Sequence, residues 1–252
     1  MKRLLRLTAL ALGLTLLLSA CGHKNTEPER KDAATQTVPV EGITGLTLCD
    51  GDVTLRFEKD EEGSWIWHDD PTFPLEQSTM DELLALPAAL DGGVLYASAE
   101  SKALLSRSIY DMAVLPQLPV IAPEQVVSVT ILTPERTVAF LTDEDGVRRS
   151  ASRDVTAQTA ALVEELGALT VTACVDYDPA EGAAAVCGLD ESALTLAMNY
   201  LSDTGADKAL TLAVGLPTGD GGRYVTLDGE TTIYRMEEAS LAQLLTIAET
   251  GL

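Results

Sequence analysis

Residues 126–149 read VVSVTILTPERTVAFLTDEDGVRR. Val127, Val129 and Ile131 alternate with polar neighbours, which puts one side of a strand in a core. Pro134-Glu135 turns the chain, and Val138, Phe140 and Leu141 bring it back as a second strand. Asp143-Glu144-Asp145-Gly146 is a further turn. A helix follows, with Asp154 as its N-cap and Leu162, Val163, Leu166 and Leu169 on its apolar side. Hairpin, acidic turn, third strand and helix do not alternate strand with helix throughout. That order predicts an α+β fold of twisted antiparallel sheets with helices packed on one side.

The same order stands earlier, over residues 43–90. Asp50-Gly51 is a hairpin signal between Leu46 and Leu48 on one side and Val53, Leu55 and Phe57 on the other. Asp60-Glu61-Glu62-Gly63 turns into a strand with Trp65 and Trp67. Ser78 and Asp81 form a capping-box pattern before a helix with Leu83, Leu84 and Leu86, which Pro87 should kink or end. A second correspondence, strand then helix, links residues 94–112 to residues 232–248, each with a strand tyrosine, Tyr96 and Tyr234. Residues 174–227 have no earlier counterpart. In that stretch Leu194, Leu196 and Met198 should pair with Leu210, Leu212 and Val214, and Asp228-Gly229 should join the next two strands. The expected organisation is an incomplete repeat over 42–122 and a complete one over 123–252, with a proline-marked boundary between Pro116 and Pro123.

Before this part come a basic start (Lys2, Arg3, Arg6), an apolar run from Leu7 to Leu18, and Leu18-Ser19-Ala20-Cys21. The run is shorter than the roughly 20 residues that span a membrane. Its three parts make a bacterial secretory signal, and the tetrapeptide resembles the lipobox of bacterial lipoproteins. The resemblance implies a signal peptide over 1–20, diacylglyceryl transfer to the Cys21 sulfur, and cleavage before Cys21. Residues 21–41 are polar, charged and aperiodic, so they read as a flexible tether with a reach of roughly 25 Å.

The chain of 252 residues carries a formal charge of −22. The signal holds three cations and no acid, so the rest stands near −25. Such a surface repels nucleic acid and anionic headgroups. Apart from Cys21 there are Cys49, Cys174 and Cys187, an odd number. Cys174 and Cys187 could form a disulfide, as an exported protein allows. Three small buried hydrophobes are the preferred reading, because no paired framework is visible.

Trp65 with the following proline-rich turn and capped helix, Gly188-Leu189-Asp190, Val214-Gly215, Gly222-Arg223-Tyr224-Val225 and Ile233-Tyr234 resemble the repeated unit of domain of unknown function 4340. That family is found in bacterial lipoproteins, and some members sit beside transporter components of the gliding-motility type. The chain departs from the pattern twice. The first unit lacks the segment from Gly-Leu-Asp to the glycine loop, and Val147-Arg148-Arg149 stands where a tryptophan strand is usual. The resemblance supplies no catalytic residues.

A serine triad needs a histidine base, and outside the tether the chain offers only His68. His68 lies beside Asp69 and Asp70 without partners at metal-ligand spacing. The acidic turns do not follow the EF-hand order, and the glycines near 219–222 precede no Lys-Ser or Lys-Thr and no helix. No cofactor is expected. Trp65, Trp67 and His68 are the candidate ligand-binding residues, and core packing is preferred for the tryptophans. The expected function is a lipid-anchored extracytoplasmic binding or scaffolding module, accessory to a transporter or envelope complex. It would meet the membrane through the Cys21 lipid and a protein partner in the envelope. The alternative is an extracytoplasmic enzyme or metal-dependent domain using His68 and nearby acids.

Overall fold

The structure, a computed structural model, describes residues 14–20, 42–50, 53–85, 88–91, 94–97, 102–190 and 194–252. Cys21 and the tether lie outside the described residues, as does Pro87. The chain divides into two compact units, Met1–Val114 and Leu115–Leu252.

In the first unit the strands are β1 (Leu14–Ala20), β2 (Ile43–Asp50), β3 (Val53–Lys59), β4 (Trp65–Trp67), β5 (Ala88–Asp91) and β6 (Val94–Ala97). They form one sheet in the order β4-β3-β2-β1-β6-β5. The alternation seen in sequence sets the register: Leu46 faces Phe57 and Leu48 faces Leu55, all four buried. Phe57 in turn faces Trp67. The helices are α1 (Gln77–Leu84) and α2 (Lys102–Leu105). Met80 and Leu83 of α1 are buried, with Phe73, Leu75, Ile109 and Met112.

Three expectations need correction in this unit. The sheet is not wholly antiparallel, because β1 runs parallel to both β2 and β6. The end of the apolar run is thus extended chain within a sheet. The cap of α1 is Glu76 rather than Ser78: its carboxylate accepts from the Ser78 N–H at 3.3 Å and the Ser78 hydroxyl at 3.1 Å. Residues 102–112 are not one helix but α2 and a separate turn of 3-10 helix, Tyr110–Met112. Asp111 accepts from the Ser108 N–H at 2.8 Å and hydroxyl at 2.9 Å, which starts a new turn there.

The second unit has strands β7 (Val126–Leu132), β8 (Thr137–Thr142), β9 (Arg148–Ser150), β10 (Arg153–Asp154), β11 (Ala173–Asp176), β12 (Leu194–Leu201), β13 (Asp207–Pro217), β14 (Gly222–Leu227) and β15 (Ile233–Glu237). Its helices are α3 (Thr156–Leu166), α4 (Ala183–Val186) and α5 (Ala242–Thr250). The nine strands run β10-β9-β8-β7-β12-β13-β14-β15-β11, each antiparallel to its neighbours. One row of paired side chains crosses five strands: Val138, Ile131, Leu196, Leu212 and Leu227, all buried. On the other side Thr130 is half-buried and Ala139, Leu141 and Ala197 are exposed. Burial by alternate residues is what one covered face and one open face require.

The pairing of Leu194, Leu196 and Met198 with Val214, Leu212 and Leu210 is the expected one. On β7 it is Val126, not Val127, that is buried with Val129 and Ile131. The register with β12 shifts between Asn199 and Tyr200, which turns Val126 inward. Asp154 caps α3 by accepting from the Thr156 N–H at 2.9 Å, although Val155 is the residue at the geometric N-cap. The second unit begins ahead of Pro116, because the segment before β7 docks on the end of α3. The Ile121 N–H donates to the Gly167 carbonyl at 3.1 Å. A Cβ on Gly167 would lie 2.1 Å from the Ile121 carbonyl oxygen, so only glycine fits that approach.

Candidate functional site

Trp65 and Trp67 share one face of β4, two residues apart. Trp65 is buried, and the Lys59 ammonium lies 5.1 Å from its ring centroid. Trp67 is half-buried and meets Phe73 edge to face at 5.5 Å between centroids, while Phe73 and Tyr110 lie 6.3 Å apart. The indole N–H of Trp67 is buried without a hydrogen-bond partner. Trp67 is therefore packed against Phe73, and Trp65 is buried, so the two do not form an open platform. His68 points elsewhere: its side chain is 50% exposed and its Nδ1 lies 3.5 Å from the Glu58 carboxylate. Among the described residues no three His, Cys, Asp or Glu side chains converge as a metal site. The structure thus places Trp65 and Trp67 on one face of β4 with separate ring contacts, and leaves His68 beside Glu58.

Cys174 is buried, Cys187 half-buried, and both are free thiols, so the disulfide considered from their spacing is not formed. Burial first, and the Asp176 carboxylate second, push the Cys174 thiol up to about 11. The same two causes raise Cys187. Thiols held protonated at neutral pH are poor nucleophiles, so neither suits covalent catalysis.

The second unit has a cleft of about 390 Å³ that no sequence pattern announced. It lies at one end of the sheet, between the β7–β8 turn, the Gly188 turn and the last turns of α5. Leu194, Val214, Leu216 and Leu245 line it, with Arg223, Glu135 and Glu249 as its charged groups. Arg223 is fixed in place: its Nε donates to Glu238 at 3.2 Å and its Nη1 to the Gly215 carbonyl at 3.0 Å. The Leu216 N–H donates to the Cys187 carbonyl at 2.8 Å, which ties the Gly188 turn to β13. A Cβ on Gly215 would stand 2.2 Å from that carbonyl oxygen. Gly188, Gly215 and Arg223, quoted from sequence as separate motifs, are thus parts of one junction. Their chemistry is structural: two close backbone approaches and one clamped guanidinium.

A second fixed guanidinium sits on the neighbouring strand. Arg235 donates to Asp220 at 3.1 Å, to the Thr172 hydroxyl at 2.9 Å and to Glu237 at 2.6 Å. Its side chain crosses Gly222 so closely that a Cβ there would lie 2.3 Å from Nε. The Thr218 hydroxyl and then Arg235 hold the Asp220 carboxyl below its usual range. This network pins the loop between β13 and β14 without leaving a reactive group.

No family model matches the chain, and no curated protein or solved structure matches it.

Proposed function

We propose that the protein is a lipid-anchored, extracytoplasmic binding or scaffolding module, accessory to a transporter or another envelope complex. The observation that carries this reading is Leu18-Ser19-Ala20-Cys21 at the end of a short apolar run with a basic start. Two acyl chains on Cys21 would hold the protein stably, where one would bind marginally. A mature surface near −25 supplies no attraction to anionic lipid, so the anchor must do this alone. Among the described residues no helix is long and apolar enough to cross a membrane.

The module reading draws on the side chains as they stand. The tryptophans pack, the thiols stay protonated, and the fixed arginines brace loops. The resemblance to domain of unknown function 4340 draws support from the junction of Gly188, Gly215 and Arg223, where the quoted motifs meet. It also draws on strand order. In each unit a three-strand meander leads to a helix, β2-β3-β4-α1 and β7-β8-β9-α3, the second with the two-residue β10 between β9 and α3, and the other strands are added beyond the first strand of the meander. In this reading the helices of each unit cover a single side of its sheet. The partner is a protein of the same envelope.

Detergent-phase partitioning and intact mass test the anchor. The wild-type protein should enter the detergent phase and begin at a diacylated Cys21. Cys21→Ala should remain an unprocessed precursor without the diacylglycerol mass. A mature chain without lipid, or one starting at another residue, defeats the reading. Crosslinking in the native membrane then identifies the partner.

A further inference from the structure

We infer that the cleft of the second unit binds a small zwitterion with an apolar body, of the class of an apolar amino acid or a short apolar peptide with free ends. The inference goes beyond the anchor reading and does not need it. The cleft lies wholly within the second unit, and a chain without lipid would keep it.

Its volume of about 390 Å³ is that of a small-molecule site, for which roughly 300–1,000 Å³ is usual. Its floor is core that the chain leaves partly uncovered. Leu194 and Val214 are paired on β12 and β13, on the side of the sheet that carries the buried Leu196 and Leu212. Leu245 of α5 lines the same space. Leu194 and Leu245 are only half-buried, and Leu216 at the rim is 52% exposed. An apolar ligand body removes this surface from water.

The charged groups stand on opposite sides of that floor. Arg223, near the start of β14, is braced through Nε and Nη1. Bracing leaves both N–H groups of Nη2 without a partner among the described residues, on a side chain 22% exposed. A fixed guanidinium with free N–H groups takes a carboxylate through charge-assisted hydrogen bonds. Across the floor, Glu135 of the β7–β8 turn and Glu249 of α5 line the cleft. The end of α5 lies against that turn, since a Cβ on Gly251 would stand 3.4 Å from Nη1 of Arg136. Neither glutamate makes an ion pair or a side-chain hydrogen bond among the described residues, and Arg136 does not line the cleft. β7 and β14 are three strand spacings apart, about 14 Å. Cation and acids therefore address different ends of a ligand.

Charge complementarity selects the class. A monoanion would meet two free acids, and one guanidinium already shared with Glu238, on a chain of net charge −22. A monocation would leave the Nη2 donors of Arg223 unused. A zwitterion gives its carboxylate to Arg223 and its ammonium to Glu135 and Glu249, and it carries no net charge through the field of the protein.

The test titrates the full chain with leucine and with leucyl-leucine by calorimetry at low salt. Methyl NMR shifts of Leu194, Val214 and Leu245 report the position. The controls are leucyl-leucinamide, N-acetyl-leucyl-leucine and aspartyl-aspartate. The expected result is saturable binding that moves these three methyl signals, at least about tenfold weaker when either end of the peptide is blocked, and absent for the acidic dipeptide. The tighter of leucine and leucyl-leucine identifies the ligand as amino acid or peptide. Glu135→Gln with Glu249→Gln, both exposed positions, should weaken leucyl-leucine at least about tenfold and leave the N-acetyl form unaffected. The blocked ligands leave the protein unchanged, so they decide even where Arg223→Gln loosens the β13–β14 loop. Three results overturn the inference: no saturable binding of either ligand, equal binding of the blocked forms, or shifts confined to other residues. Binding by a chain whose intact mass shows no lipid defeats the anchor reading alone.

Discussion

Gln77 stands in for a neighbouring strand at Trp65. Its Oε1 accepts from the Trp65 N–H at 2.9 Å and its Nε2 donates to the Trp65 carbonyl at 3.0 Å, as a paired residue would. Gln77→Ala should cost about 1–2 kcal/mol, since two part-buried backbone groups lose their partners. Gln77→Glu should cost more than a simple charge swap on the surface, because the carboxylate faces the Trp65 carbonyl where the amide donated. Urea midpoints decide both, and an unchanged midpoint for Gln77→Ala would dismiss the role. Nothing in sequence signalled this pair, twelve residues apart with a turn between them. Arg148 is the opposite case. The sequence marked it as out of place in a strand position, and it is 8% exposed, its Nε has no hydrogen-bond partner, and it makes no ion pair among the described residues. A buried donor left without a partner costs about 1–3 kcal/mol, which an apolar side chain of the same size avoids. Arg148→Met should therefore raise stability by about 1 kcal/mol, a rise of about 2–4 °C in the thermal midpoint. A lower midpoint would mean that the guanidinium is held by a partner.

At the scale of elements, α5 is capped by another helix. No side chain of its own caps it, and Glu165 of α3 accepts from the Gln243 N–H at 2.8 Å and the Leu244 N–H at 2.9 Å. Glu165→Ala should cost about 1 kcal/mol, as the loss of an N-cap does. Burial raises the Glu165 carboxyl above its ordinary value, and the capping N–H bonds only partly offset that. The folded state then holds this proton more tightly than the unfolded one. Its linkage favours folding below the unfolded value, about 4.3, and the benefit is lost as pH rises through the folded value. Glu165→Gln cannot titrate. The stability of wild type relative to Glu165→Gln should fall as pH rises above the unfolded value of about 4.3, measured by urea unfolding. A difference that grows with pH would reverse the assignment. Elements whose residues settle their own state were legible: the hairpins of β2–β3, β12–β13 and β14–β15 follow from alternation and turn residues. The start of α1 and the break after α2 were not, because Glu76 and the Ser108–Asp111 pair compete locally for backbone groups that propensity assigns to a helix.

At the scale of the molecule, local pattern stops short of strand order. The neighbours β7 and β12, and β11 and β15, lie far apart in sequence, and no periodicity records which hairpins meet. The cleft at Arg223 was hidden for the same reason, since its walls come from six separated segments. The second unit nonetheless holds what an independent domain needs. Its core crosses the sheet from Val138 to Leu227 and continues through Leu162, Val163 and Leu166 of α3 and Leu244 and Ile247 of α5. Its entry segment is tied to α3 at Gly167, and the Gln125 amide reaches Asp203 at 3.0 Å to join the start of β7 to the β12–β13 loop. About 140 residues bury a large enough share of their surface for autonomous folding. A fragment of residues 115–252 should thus be soluble and unfold cooperatively, with β-rich circular dichroism. Its thermal midpoint should match one transition of the full chain within a few degrees. Because the row of paired side chains is continuous, Leu212→Ala should lower that one transition by the amount expected of about 2–5 kcal/mol and leave any other in place. A fragment without dispersed amide signals, or a single full-chain transition shifted as a whole by Leu212→Ala, would show that the two units fold only together.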